Sequence, residues 1–110
     1  MTSFQKIREA CKKVGIPAYP DFNTNNEDVY AVYNFAAETP DNFGDDVPQV
    51  MIADLQVHLY LPAEKNFFDT KLKLMRELFA QGFTYPSVAL NAVEDNVRHI
   101  VFEFEDDVDI

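Results

Sequence analysis

Tryptophan is absent from this 110-residue chain, cysteine occurs once, glycine three times, and no lysine or arginine lies between Val14 and Glu64. The single Cys11 rules out an intrachain disulfide and a zinc site built from several thiolates. Gly15, Gly44 and Gly82 are too few and too scattered to form a phosphate-cradling loop, and no serine sits in a nucleophile elbow. A run of about 18 apolar residues, enough to cross a bilayer, is also missing. The start MTSFQKIREACKK lacks the apolar centre of a secretory signal, which leads to an intracellular reading.

What remains is acidic, aromatic and sorted by charge. The net charge is -10, and ten Phe and five Tyr supply the large apolar groups from which a core is built without tryptophan. A chain of this length suits one domain, which buries roughly two-thirds of its unfolded surface; we assign it to residues 1–106, followed by an acidic C-terminal tail at 107–110. Nine of the nineteen acids lie from Gly15 through Glu64, while eight of the nine basic residues occupy segments 6–13 and 65–76. Separate acidic and basic regions point to organised contact with another surface. The overall charge disfavours stable nucleic-acid binding, which needs a basic patch, yet an acidic wall suits DNA that merely passes by.

Hydrophobic spacing orders the elements. Phe4, Ile7, Cys11 and Val14 share one face of a helix over about 3–14, with Thr2 and Gln5 as a capping box and Gly15 and Pro17 as a stop. The stripe makes Cys11 a buried thiol. Residues 16–28 read as a loop, 29–36 as a strand, and TPDNFGDDVP (39–48) as a long connection whose prolines, glycine and aspartates oppose regular structure. Alternation of Met51, Ala53, Leu55, Val57, Leu59 and Leu61 marks the clearest strand, ended by Pro62. Asn66 caps a second helix with a buried stripe of Phe68, Leu72, Met75 and Phe79, closed by Gly82. PSVALNAVED and NVRHIVFEFED form a hairpin turning at Glu94, Asp95 and Asn96, and the last four or five residues are expected to fray. The resulting expectation is an α+β fold of order αββαββ, an antiparallel four-stranded sheet with two helices packed on one face. Its other face would display Asp54, Gln56, His58, Tyr60, Val101 and Glu103.

Candidate chemistry is sparse. His58 and His99 fall on strands where they can meet, with Asp54 or Glu103 near, but histidines on a half-exposed sheet face are ordinary. Asp21, Asn23, Asn25, Glu27 and Asp28 begin like a calcium loop, which fails at Asn26, where glycine is needed, and at Val32, where a bidentate acid is needed. We therefore expect no catalytic residue, no cofactor and no metal. Contact residues are the better candidates. The basic faces of the helices, with Lys6, Lys12, Lys13, Lys71 and Arg76, oppose an acidic connection holding Asp41, Asp45 and Asp46, so one subunit's helices would meet the next subunit's loop. Phe43, at the centre of that loop, is a candidate anchor.

QVHLYLP (56–62), KLKLMRELF (71–79), GFTYP (82–86) and RHIVFEFE (98–105), together with Tyr33, Asn34, Phe35, Glu38, Pro40 and the Asp45–Asp46 pair, resemble a family of small tail proteins from siphophages and Gram-positive prophages. The similarity covers about residues 28–106 in the same order. It implies a tail-completion or tail-terminator subunit that forms a hexameric ring, caps the tail tube, docks the head connector, and is assembled into the virion from the host cytoplasm. It implies neither enzymatic activity nor a cofactor. On that footing the 39–48 loop would reach the lumen or an adjacent subunit. The alternative weighed beside it is an acidic interaction module such as a DNA mimic, which would need carboxylates spaced along one face like phosphates.

Overall fold

A computed structural model of the chain describes residues 1–23, 25–44 and 47–109, with residues 42 and 43 described by their backbone only. Helix α1 covers Ser3–Val14, and its capping box is formed as the sequence indicates: Thr2 accepts from the Gln5 amide while the Gln5 side chain accepts from the Thr2 amide. Gly15 closes it at φ 82°, a left-handed conformation that glycine adopts without strain. The strands are β1 (Ala18–Pro20), β2 (Tyr30–Gly44), β3 (Val47–Pro62), β4 (Ser87–Glu94) and β5 (Val97–Asp109), with α2 (Phe68–Ala80) between β3 and β4.

The sheet has five strands in the order β1-β2-β3-β5-β4, and it is mixed, because β1 pairs with β2 in parallel while all other neighbours are antiparallel. This corrects the expected four-stranded antiparallel sheet of order αββαββ. The missed strand has three residues and ends in proline, too short to show any alternation, and it is held by pairing Ala18 with Ala31 and Tyr19 with Val32. Both helices cover one face. There Ile7, Ala10 and Cys11 of α1 and Leu74 and Leu78 of α2 pack on Tyr33, Leu55, Val57, Leu59, Ile100 and Phe102. Burial pushes the Cys11 thiol up to about 12, so the sulfur stays protonated.

Three further departures matter for function. The stretch expected as a loop, 39–48, is largely strand: Thr39 pairs with Ile52, Asp41 with Val50 and Gly44 with Val47, so β2 and β3 continue into a long arm, flanked by β5 as far as Val50. Proline is tolerated there because β1 borders β2 only as far as Tyr33, leaving Pro40 on a free edge where no outer ladder bond is lost. The strand β5 likewise runs on through Asp109, paired with Val50, where fraying was expected. Finally, α2 is turned about its axis: Leu74 and Leu78 are buried, whereas Phe68, Leu72 and Phe79 are 59%, 45% and 54% exposed. The helix is apolar on more than one face, and periodicity alone does not choose which face the core takes.

The last hairpin follows the sequence closely. Asp95 (φ 52°) and Asn96 (φ 64°) both take the left-handed conformation required by the two-residue turn that matches strand twist.

Candidate assembly surfaces

The molecule is 54 Å long and about 24 Å across, and α1 meets the base of the acidic arm through Lys6 and Asp106. Glu38 and Asp41 are exposed on β2, and Asp107 and Asp109 are exposed on the adjoining end of β5. Asp45 and Asp46 lie outside the described residues, as does the side chain of Phe43, so their expected contacts are untouched by these observations. Lys12 and Lys13 stand exposed on the last turn of α1, where positive charge complements the helix dipole. Arg76 is exposed on α2, and the Lys71 ammonium sits over the rings of Phe67 and Phe68, 5.7 and 5.2 Å from their centroids.

Lys6 has a different role from the one its charge suggested. Its Nζ lies 2.8 Å from Asp106 Oδ2 and 4.7 Å from the centroid of Phe83, and the Ser3 hydroxyl donates to the same carboxylate oxygen at 2.7 Å. Asp106 faces the helices because it shares the face of Phe104 and Phe102 along β5, which ties α1 to the base of the arm. Among the described residues this is the one ion pair. The other cations of α1 and α2 therefore have no carboxylate of the described residues within bonding distance.

Beside α2 the edge strand β4 is exposed at all eight residues. Its Val88 and Val93 lie on the helix-covered side of the sheet, opposite Phe102 and Arg98 in register, and Phe79 touches Tyr85 at 5.2 Å just before the strand begins. Arg98 fills the seam, donating to Asn91 at 2.7 Å and stacking 4.1 Å from the Phe67 centroid. Sequence reasoning missed this patch because it spent Phe68, Leu72 and Phe79 on the core. The signal was present in the second apolar set, Phe67, Leu74 and Leu78, and in apolar residues on both faces of β4.

The open face carries a ladder of rings and amides. Tyr30 stacks on Tyr60 (4.9 Å) and Tyr60 on His99 (4.4 Å, 12° between planes). His58 Nδ1 is 2.9 Å from His99 Nε2, His58 Nε2 is 3.2 Å from Gln56 Oε1, and Gln56 Nε2 is 3.2 Å from Glu103 Oε1. One proton arrangement satisfies every contact: His99 donates to His58, His58 to Gln56 and Gln56 to Glu103, with both imidazoles neutral. Sequence reasoning brought the two histidines together correctly, but both nitrogens of His58 and Nε2 of His99 are occupied within the ladder. Among the described residues no cluster of three or more His, Cys, Asp or Glu is placed to share a metal ion. Nearby, a hollow of about 410 Å³ is lined by Asp54, Thr84, Ser87, Glu103 and Glu105, and a shared hydrogen bond and mutual repulsion with Asp54 raise the Glu105 carboxyl.

The histidine ladder has a pH consequence. Partial burial lowers both imidazoles below the ordinary 6.5, and for His58 the neighbouring His99 adds to the shift. The unfolded chain then binds protons first, so stability is full above 6.5 and is lost as the pH falls through the lower folded-state values. Thermal melts from about pH 7.5 to about pH 5 are expected to show the melting temperature dropping more steeply in the wild type than in a His58→Gln, His99→Gln variant. Parallel curves would refute the arrangement.

No protein-family model matches the chain, and no curated protein sequence does. Solved structures do share its fold. A chain from the virion of a native gene transfer agent particle is similar over 98% of this chain and 92% of its own length, with 15% identity and a TM-score of 0.59. A second solved chain is similar over 100% of this chain and 98% of its own length, with 17% identity and a TM-score of 0.57. The arrangement of two helices on a five-stranded sheet is therefore a fold that recurs at full length.

Proposed function

We propose that the protein is a non-enzymatic structural component of a phage-like virion, a tail-completion or tail-terminator subunit that assembles with its own copies into a ring, hexameric by the resemblance, between the tail tube and the head connector. The observation that carries this reading is the full-length likeness to a chain of a gene transfer agent virion, found for a sequence whose motifs already resemble tail proteins. The charge distribution supports it. A ring subunit needs two complementary flanks, and acids facing a channel keep passing DNA from adhering. In the ring the arm of β2 and β3, with Asp41, Phe43, Asp45 and Asp46, reaches the lumen or the neighbouring subunit, and Lys12, Lys13, Lys71 and Arg76 serve subunit contacts. Lys6 supports the arm from within its own chain.

Deleting the gene from a strain that produces the particles tests this role. Electron microscopy is expected to show filled heads apart from tails, or tails of uncontrolled length, with normal particles restored by supplying the gene in trans. Normal, infectious particles made without the gene would exclude it.

A further inference from the structure

We propose that the outward flank of α2 and the edge strand β4 receive the acidic arm of a second copy of this chain, giving a head-to-tail contact. This rests on the reading of the protein as a self-assembling subunit and names the surfaces involved. The receiving side combines the exposed rings of Phe68 and Phe79 with Leu72 of α2 and Val88 and Val93 of β4. Phe79 meets Tyr85 just ahead of β4, and exposed apolar side chains in this number on a small acidic protein mark a contact surface.

Charge selects the occupant. Lys65, Lys73 and Arg76 are exposed on the α2 side and have no ion-pair partner among the described residues. Glu38, Asp41, Asp107 and Asp109 of the arm are likewise exposed and unpaired there. Within one chain the two sets do not meet, so each finds its complement only on another copy. Reach agrees as well. The arm beyond the bulge between Phe35 and Ala37 and the eight-residue β4 each span about 26 Å at a strand's rise per residue. Pro40 denies the arm one edge donor, so side chains and not a continuous backbone ladder hold the contact. Because the two surfaces differ, the contact repeats from copy to copy and closes into a ring when the rotation allows.

Sedimentation velocity of the full chain over a range of concentrations tests this. The Lys73→Glu, Arg76→Glu variant and the Glu38→Lys, Asp41→Lys variant are each expected to associate more than about tenfold more weakly than wild type, the effect of about 1.4 kcal/mol at the contact. An equimolar mixture is expected to recover association, because each variant's arm then complements the other's helix. All substituted side chains are exposed, and unchanged melting curves would confirm that both variants fold. Wild-type protein that stays monomeric at every concentration would overturn the inference, as would association that survives either double substitution or is not recovered on mixing. The gene-deletion phenotype judges the virion role separately, so loss of this contact and loss of that role are told apart.

Discussion

Phe102→Ala is expected to lower the unfolding free energy by about 3–5 kcal/mol, the usual result of emptying a core aromatic position. The same substitution at Phe79 is expected to change it by less than about 1 kcal/mol. Phe102 has no exposed surface; it sits in the middle of β5, between Val57 and Val88 in register, in the same core cluster as Leu74 and Leu78. Phe79 is half exposed and meets Tyr85 at its edge. Denaturant melts of the two variants separate the observed rotation of α2 from the one its sequence suggests, since the apolar stripe Phe68, Leu72, Met75 and Phe79 would make Phe79 a core residue. Comparable losses for the two would mean that α2 faces the sheet differently. Phe79→Ala is also expected to weaken self-association, because it removes an aromatic group from the receiving surface while leaving the fold intact.

Asp106→Ala is expected to cost about 2–4 kcal/mol, because it strands a mostly buried ammonium and a buried hydroxyl at once. Lys6 is 19% exposed and Asp106 7%, so little water replaces the lost carboxylate. The neighbouring Asp107→Ala is expected to stay within about 0.5 kcal/mol, since that side chain is exposed on the opposite face of β5. The contrast distinguishes an acid held by its own chain from an exposed one, one residue apart on one strand. Urea unfolding of both variants measures it, and equal losses would show that the pair between α1 and the arm carries no stability.

These two residues also show how far the sequence was legible. Helix α1 could be read from end to end, because its apolar spacing, its capping box and its terminal glycine all agree. The β4–β5 turn could be read for the same reason, since Asp95 and Asn96 tolerate the backbone the turn requires. The central strand β3 showed its inner face by strict alternation from Ala53 to Leu61. Legibility failed wherever the deciding contact was remote. The three residues of β1 are strand only because β2 lies beside them. The arm keeps its ladder despite Pro40 and Pro48 because β1 borders β2 only as far as Tyr33 and β5 borders β3 only as far as Val50, which leaves both prolines on free edges. The rotation of α2 is fixed by its fit against α1 and the sheet, which a helical pattern apolar on two sides leaves undecided.

The candidate surfaces divide in the same way. Charge sorting announced distinct acidic and basic regions, and among the described residues one ion pair, Lys6 with Asp106, joins them. It could not show that Lys6 is consumed inside its own chain, because Asp106 lies a hundred residues away in sequence. Nor could it show that β4 is bare, since a strand's place in the sheet order depends on pairing. The histidines came together as their strand positions suggested, in an arrangement where both nitrogens of His58 and Nε2 of His99 are already partnered.

A cryo-electron microscopy reconstruction of the head-to-tail junction in particles that carry this gene tests the central claim most directly. The account predicts a closed ring of copies of this chain between tail tube and connector, each acidic arm seated on the α2 and β4 flank of its neighbour. A junction formed wholly by other proteins, or purified particles in which this chain is absent, would contradict it.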